Sequence, residues 1–150
     1  RLDLPAWPAS PSPQSGIAAE MGGHPVETLW RDGGYCVLVY PQARDVRALK
    51  PDFSRLGARG NILFIATAPG DDSDVISRVF APGAGIDEDP VTGSAHAVIA
   101  PYWAERLARS RFSAYQASAR GGRLDCEYWG DRVTLGGHCV TVIEGRFTLP

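Results

Sequence analysis

The residues best suited to chemistry lie in one run, Asp87-Glu88-Asp89-Pro90-Val91-Thr92-Gly93-Ser94-Ala95-His96. Three acids lead through a Thr-Gly-Ser step into a pattern that reads as helix. The first backbone N–H groups of a helix have no internal acceptor and sit at the positive end of its dipole. A carboxylate or phosphate suits that position. Gly93 would let a ligand approach the backbone, and Ser94 adds a hydroxyl. The same residue types also suit plain capping, because Asp, Thr and Ser are common helix caps. At this level both readings stand.

Other constellations fail. Gly83-Ala84-Gly85 is followed by Glu88 where a dinucleotide fingerprint needs a third glycine. There is no Walker loop, and Thr92-Gly93-Ser94-Ala95-His96 is not a nucleophile elbow. His24, His96 and His138 lie far apart, in no metal-ligand spacing. His24 and His138 are expected in turns or at the surface, and His96 as a structural histidine on a helix face. Glu88 reads as a solvated loop charge. Arg78 either faces an anionic ligand or closes a strand-end ion pair.

These residues need elements to hold them. Residues 94–109 give the one long helical pattern, and its first half is apolar nearly all round: Ala95, Ala97, Val98, Ile99, Ala100, Tyr102, Trp103 and Ala104. Such a helix is wrapped on every side. Pro101 should kink it or weaken its ladder. Upstream, residues 1–4 read as the end of a strand, and residues 5–13, with four prolines, as an extended connector. A helix is expected over 12–21, a hairpin over 26–40 around Gly33-Gly34, short helical turns over 42–49 and 51–56, and strands over 61–68 and 74–80. Residues 81–93 must be loop. From Phe112 onward three or four strands follow, separated at Gly121-Gly122, Gly130-Asp131 and Gly136-Gly137. Strands adjacent in sequence predict an α+β fold with a mainly antiparallel sheet rather than alternating βαβ units.

Composition bounds the rest. The chain has 150 residues, 44% hydrophobic and 21% charged, enough for one domain with a real core. A net charge of -2, with 14 arginines and one lysine scattered along the chain, offers no cationic field for nucleic acid or an anionic membrane. No apolar run approaches the roughly 20 residues of a membrane helix. No charged-then-apolar leader opens the chain, which begins with Arg1 rather than Met. Cys36, Cys126 and Cys139 are odd in number and form no C-x-x-C pair, so free thiols in a reducing cytoplasm are expected.

Several linked stretches resemble the phenazine-biosynthesis PhzF-like proteins. They are Ser77-Arg78-Val79-Phe80-Ala81-Pro82, the run from Gly85 to His96, Ala100-Pro101-Tyr102-Trp103, Gln116-Ala117-Ser118-Ala119-Arg120-Gly121-Gly122, and Val140-Thr141-Val142-Ile143-Glu144-Gly145. The resemblance implies a diaminopimelate-epimerase-like fold: two similar halves, each a sheet curled around a central helix, with the active site between the two helix N-termini. It implies proton-transfer isomerisation of a small carboxylate-bearing metabolite without cofactor or metal. Asp89 and Ser94 occupy the positions of the family's active-site Asp and Ser, and Gly93 contributes an amide. Thr92, Ala95 and Arg78 accompany them as candidate substrate contacts. The family's proton-shuttling Glu and its active-site His have no counterpart here, and Arg1 falls near the family's half-way point. The implied partners are therefore a small anionic metabolite and either the family's N-terminal half or a second copy in a homodimer.

Two other functions compete. One is a ligand- or partner-binding module that is catalytically incomplete. The other is a racemase or epimerase with paired thiols. In that mechanism a thiol would sit at Thr92, and no cysteine is near it in sequence, which disfavours the thiol route.

Overall fold

The computed structural model describes residues 1–148. Among them nine strands form one curled sheet in the order β1-β9-β8-β7-β6-β5-β4-β3-β2. In chain order the strands are β1 (Leu2–Pro5), β2 (Ser10–Pro11), β3 (Glu27–Arg31), β4 (Tyr35–Val39), β5 (Leu63–Pro69), β6 (Val75–Phe80), β7 (Arg111–Gln116), β8 (Gly122–Tyr128) and β9 (Arg132–Gly136). The helices are α1 (Ser15–Met21), α2 (Ala43–Arg47), α3 (Phe53–Gly57) and α4 (Gly93–Arg106), with a 3-10 turn at Pro82–Ala84. The α+β architecture read from the sequence is the one observed.

Period-2 alternation lets the middle of the sheet serve two cores. Val37, Val39, Ile65, Val75 and Val79 face inward and pack with Val98, Ile99 and Trp103 of α4. Their neighbours Cys36, Leu38, Phe64, Ala66, Ile76 and Phe80 face outward, under Ile17, Met21, Val46 and Leu56 of the small helices. This explains why the stretch over 61–68 is apolar on both faces. It also accounts for α4, which is wrapped by sheet as its composition required. Val98 and Ile99 are each 1% exposed and Trp103 3%.

Two features sharpen the expectation of a mainly antiparallel sheet with three or four strands from Phe112 onward. β4–β5 and β6–β7 are parallel, while every other neighbour pair among the described strands is antiparallel. The parallel pairs occur where helices intervene in the chain, because parallel neighbours need a long crossover. After Gly136 no further strand forms among the described residues. Residues 137–148 carry no regular structure, and Val140, Val142, Ile143 and Phe147 are exposed.

Pro101 does not end α4. Lacking an N–H, it cannot donate to the carbonyl of Ala97. That carbonyl instead accepts the backbone N–H of Trp7, at 3.1 Å, from the proline-rich connector. The connector thus repairs the helix ladder as it crosses from β1 to β2.

Candidate functional site

The start of α4 is the focus. Thr92 takes the N-cap position with extended backbone (φ -116°, ψ 105°), yet its side chain does not cap. Its hydroxyl donates instead to the Asp89 carboxylate. The Thr92 N–H donates to Gln116 Oε1 at 2.8 Å. Among the described residues, the N–H groups of Gly93, Ser94 and Ala95 therefore have no acceptor, and the Ser94 hydroxyl makes no hydrogen bond.

The loop before the helix is fixed from three sides. The Asp89 N–H donates to the Val79 carbonyl at 2.9 Å. Gln116 Nε2 donates to the Asp89 carbonyl at 2.7 Å and to Thr92 Oγ1 at 3.2 Å. In the β7–β8 turn, Ser118 Oγ donates to the Pro90 carbonyl at 2.8 Å. That turn can lie so close because Gly122 has no Cβ. One there would collide with Val91.

His96 lies one turn into α4 and is fully buried. Its Nδ1 is 2.8 Å from the Thr92 carbonyl, and its Nε2 lies 3.4 Å from Ser77 Oγ. A carbonyl only accepts, so Nδ1 carries the proton and Nε2 faces the Ser77 hydroxyl as an acceptor. Burial pushes the imidazole below its usual pKa, against a smaller upward pull from the Thr92 carbonyl. His96 is a structural residue, as its place on the helix face indicated.

The candidate residues divide. Asp89 and Thr92 are brought together, with Gly93 and Ser94 following at once on the helix, all half-buried. Ala95 is fully buried in the inner core, so only its backbone N–H can serve a ligand. Arg78 turns away. Its Nε and Nη2 donate to the two Glu88 carboxylate oxygens at 2.7 and 2.9 Å, and its Nη1 reaches the carbonyls of Val46, Arg47 and Leu49 at the end of α2. The structure realises the ion-pair alternative for Arg78. Glu88 is accordingly no solvated loop charge, since the guanidinium closes over it.

A cavity of about 620 Å³ opens beside Gly93, lined by Val91, Gly122, Arg120, Arg123, His138 and Cys139 among others, with no carboxylate in its lining. Cys139 amends the sequence reading, in which no thiol was near the helix start. The end of β9 carries it there. Cys36 and Cys126 are buried in the two cores, and burial pushes both thiols up to about 12. A larger hollow, about 800 Å³, opens at the far end of α4 against Pro101, Tyr102 and Arg106, and no candidate residue lines it. Among the described residues no group of three or more His, Cys, Asp or Glu is placed to hold a metal ion, and no helix is long and apolar enough to cross a membrane.

Gln116 was not singled out from the sequence, although a signal existed. Phe112, Ala114 and Gln116 alternate on the inward face of β7. A polar side chain at an inward strand position must find partners.

Known proteins match nearly the whole of this chain in sequence and structure. The chain is 44% identical over 99% of its length to an uncharacterised isomerase of Pseudomonas aeruginosa, and 40% identical over the same share to a second uncharacterised isomerase of that organism. It spans 57% of the length of each. It superposes on a PhzF-family phenazine biosynthesis protein of Enterococcus faecalis with a TM-score of 0.84 and 40% identity, covering 91% of this chain and 52% of that one. A putative PhzC/PhzF protein of Clostridium difficile gives a TM-score of 0.84 at 28% identity, covering 99% of this chain and 57% of that one. The sequence profile of the family described as phenazine biosynthesis-like protein (PhzC-PhzF) matches residues 18–145. The chain belongs to the PhzC/PhzF family of phenazine biosynthesis-like proteins.

Proposed function

We propose that this chain forms one wall of the active site of a PhzF-like isomerase, and that the first turn of α4 holds the carboxylate of a small metabolite. The observation that carries this reading is the Thr92 hydroxyl. It binds Asp89 rather than its own helix, so three amides at the positive end of the dipole are left to a ligand. Arg120 and Arg123 at the adjoining cavity add positive charge.

Asp89 then contacts a donor on the substrate, an amine or hydroxyl, because two carboxylates in hydrogen-bond range repel unless one is protonated. The reaction moves one proton between carbons and shifts a double bond. Atoms and electrons balance without an oxidant, and no cofactor is invoked. The proton shuttle belongs to the part of the relatives' length outside this chain, supplied by a longer polypeptide or a partner. A dihydroaromatic amino acid is the substrate class the resemblance suggests, in a biosynthetic, cytoplasmic setting that suits unpaired thiols.

A second reading, a partner-binding module, draws on the exposed Val140, Val142, Ile143 and Phe147. Exchange of substrate hydrogen with D2O, followed by NMR on a dihydroaromatic amino acid, separates the two. The chain alone should show no exchange, and addition of the relatives' remaining portion in trans should restore it. Asp89→Asn should then abolish it and Cys139→Ser leave it intact. Failure of the assembled protein to exchange would favour the module, and loss in Cys139→Ser would favour a thiol mechanism.

A further inference from the structure

Gln116, Ser77 and His96 are fully buried polar residues, gathered beneath one residue of the loop. Ser77 and Gln116 are the last register pair of the parallel β6–β7 ladder, so their side chains emerge side by side under Thr92. The Thr92 N–H is taken by Gln116 Oε1, and its carbonyl by His96 Nδ1. Its hydroxyl lies between Asp89 Oδ2 and Gln116 Nε2. Every polar group of Thr92 is thus held by a side chain. The same Gln116 amide grips the Asp89 carbonyl.

We propose that Gln116 is a positioning residue: it clamps the Asp89–Thr92 turn so that Thr92 cannot cap α4, keeping the amides of the first turn open. The inference rests on the reading of that turn as an anion site. Capping by threonine is favourable by about 1 kcal/mol in ordinary helices, and a free Thr92 would adopt it. Gln116 opposes this by accepting the Thr92 N–H, which fixes the peptide plane, and by donating to the hydroxyl oxygen that would otherwise accept from Ser94 or Ala95. Buried at an inward strand position, its amide bonds only to Asp89 and Thr92 among the described residues, and a fully satisfied buried network favours one arrangement.

The test is a sulfate titration of the 15N-labelled chain, read at the backbone amides of Gly93, Ser94 and Ala95. The wild type should show saturable shifts there. Gln116→Leu should bind sulfate at least tenfold more weakly. Without sulfate, its Ser94 or Ala95 amide should gain protection from hydrogen exchange as Thr92 swings in to cap. Thr92→Val/Gln116→Leu, whose valine cannot cap, should recover affinity to within about twofold of wild type. A merely structural role for Gln116 would leave the double variant as weak as the single one, and that result overturns the proposal. Unchanged sulfate affinity and exchange in Gln116→Leu also overturns it, with the anion site intact. A wild type without saturable shifts defeats the anion site itself, and the exchange readout then decides the clamp alone. Should Gln116→Leu fail to fold, scalar coupling between the Thr92 amide nitrogen and Gln116 Cδ in the wild type reads the clamp directly, and absence of that coupling refutes it.

Discussion

The two ends of α4 are built to opposite rules. At its C-terminal end three of the last carbonyls are taken. The N–H groups of Leu107, Ala108 and Arg109 donate to the carbonyls of Trp103, Glu105 and Ala104 at 2.8, 3.1 and 3.1 Å. Ala108 adopts a left-handed φ of 52° to close the turn. Glu27 of β3 collects Tyr102 Oη at 2.9 Å and Arg106 Nη2 at 2.6 Å. At the N-terminal end three N–H groups stay open, although a threonine able to cap them is in place. The same chain spends the Trp7 amide on the gap left by Pro101, and among the described residues it leaves no buried side-chain N or O atom without a partner. α1 and α2 also lack a side-chain cap, but at α4 the N-cap residue is a threonine whose hydroxyl turns to Asp89 instead. One end secures the fold, and the other, on the function proposed above, is left to a ligand.

Breaking the secured end should have the largest effect. Trp103 is almost fully buried, and its Nε1 donates to Thr67 Oγ1 at 2.9 Å. Trp103→Ala should lower unfolding free energy by about 3–5 kcal/mol, measured by urea denaturation. Sulfate binding at the helix start should survive wherever the variant remains folded. A smaller loss is expected from Arg78→Gln, which strands Glu88 and the α2 carbonyls. The pair is only partly exposed, and its removal should cost about 1–2 kcal/mol without weakening anion affinity. A matching loss of anion affinity would return Arg78 to the site.

The smallest effect is a pH dependence at the open end. His96 is held neutral in the folded protein, with its pKa below the usual imidazole range because of burial. Its stabilisation is therefore fully present above the unfolded imidazole value of about 6.5 and declines as pH falls below it, because the unfolded chain binds the proton more readily. Thermal melts from pH 7.5 down to 5.5 should show this decline in the wild type and a smaller one in His96→Asn. Equal slopes in both would assign the dependence to other groups.

Much of this was legible in the sequence. The all-round apolar half of α4 announced a wrapped helix, and alternation placed the strands. Asp89, Thr92, Gly93 and Ser94 stood out because small and acidic residues before an apolar run are distinctive. The mainly antiparallel sheet followed from strands adjacent in sequence, but which pairs run parallel was not legible, since alternation is the same in both and only the crossovers over 43–57 and through α4 decide it. The roles of Thr92 and Arg78 were undecided for a similar reason. Residue type says that Thr can cap and that Arg can pair, whereas the partner comes from distant strands. Gln116 lies 24 residues from Thr92, a separation over which no local pattern speaks. Cys139 was missed on the same ground.

On the function proposed above, the first turn of α4 binds a carboxylate through its open amides. The most direct test is a benzoate titration followed at every backbone amide, in the wild type and in Gly93→Pro. Proline is tolerated at the first helical position, and the extended Thr92 before it is compatible with it. The variant therefore removes one donor at little cost to the helix. Saturable shifts should centre on Gly93, Ser94 and Ala95, with none at the Leu107 end. Affinity in Gly93→Pro should fall about fivefold, the worth of roughly 1 kcal/mol for one hydrogen bond, at an unchanged melting temperature. Shifts centred elsewhere, or equal affinity in the two proteins, would contradict the claim.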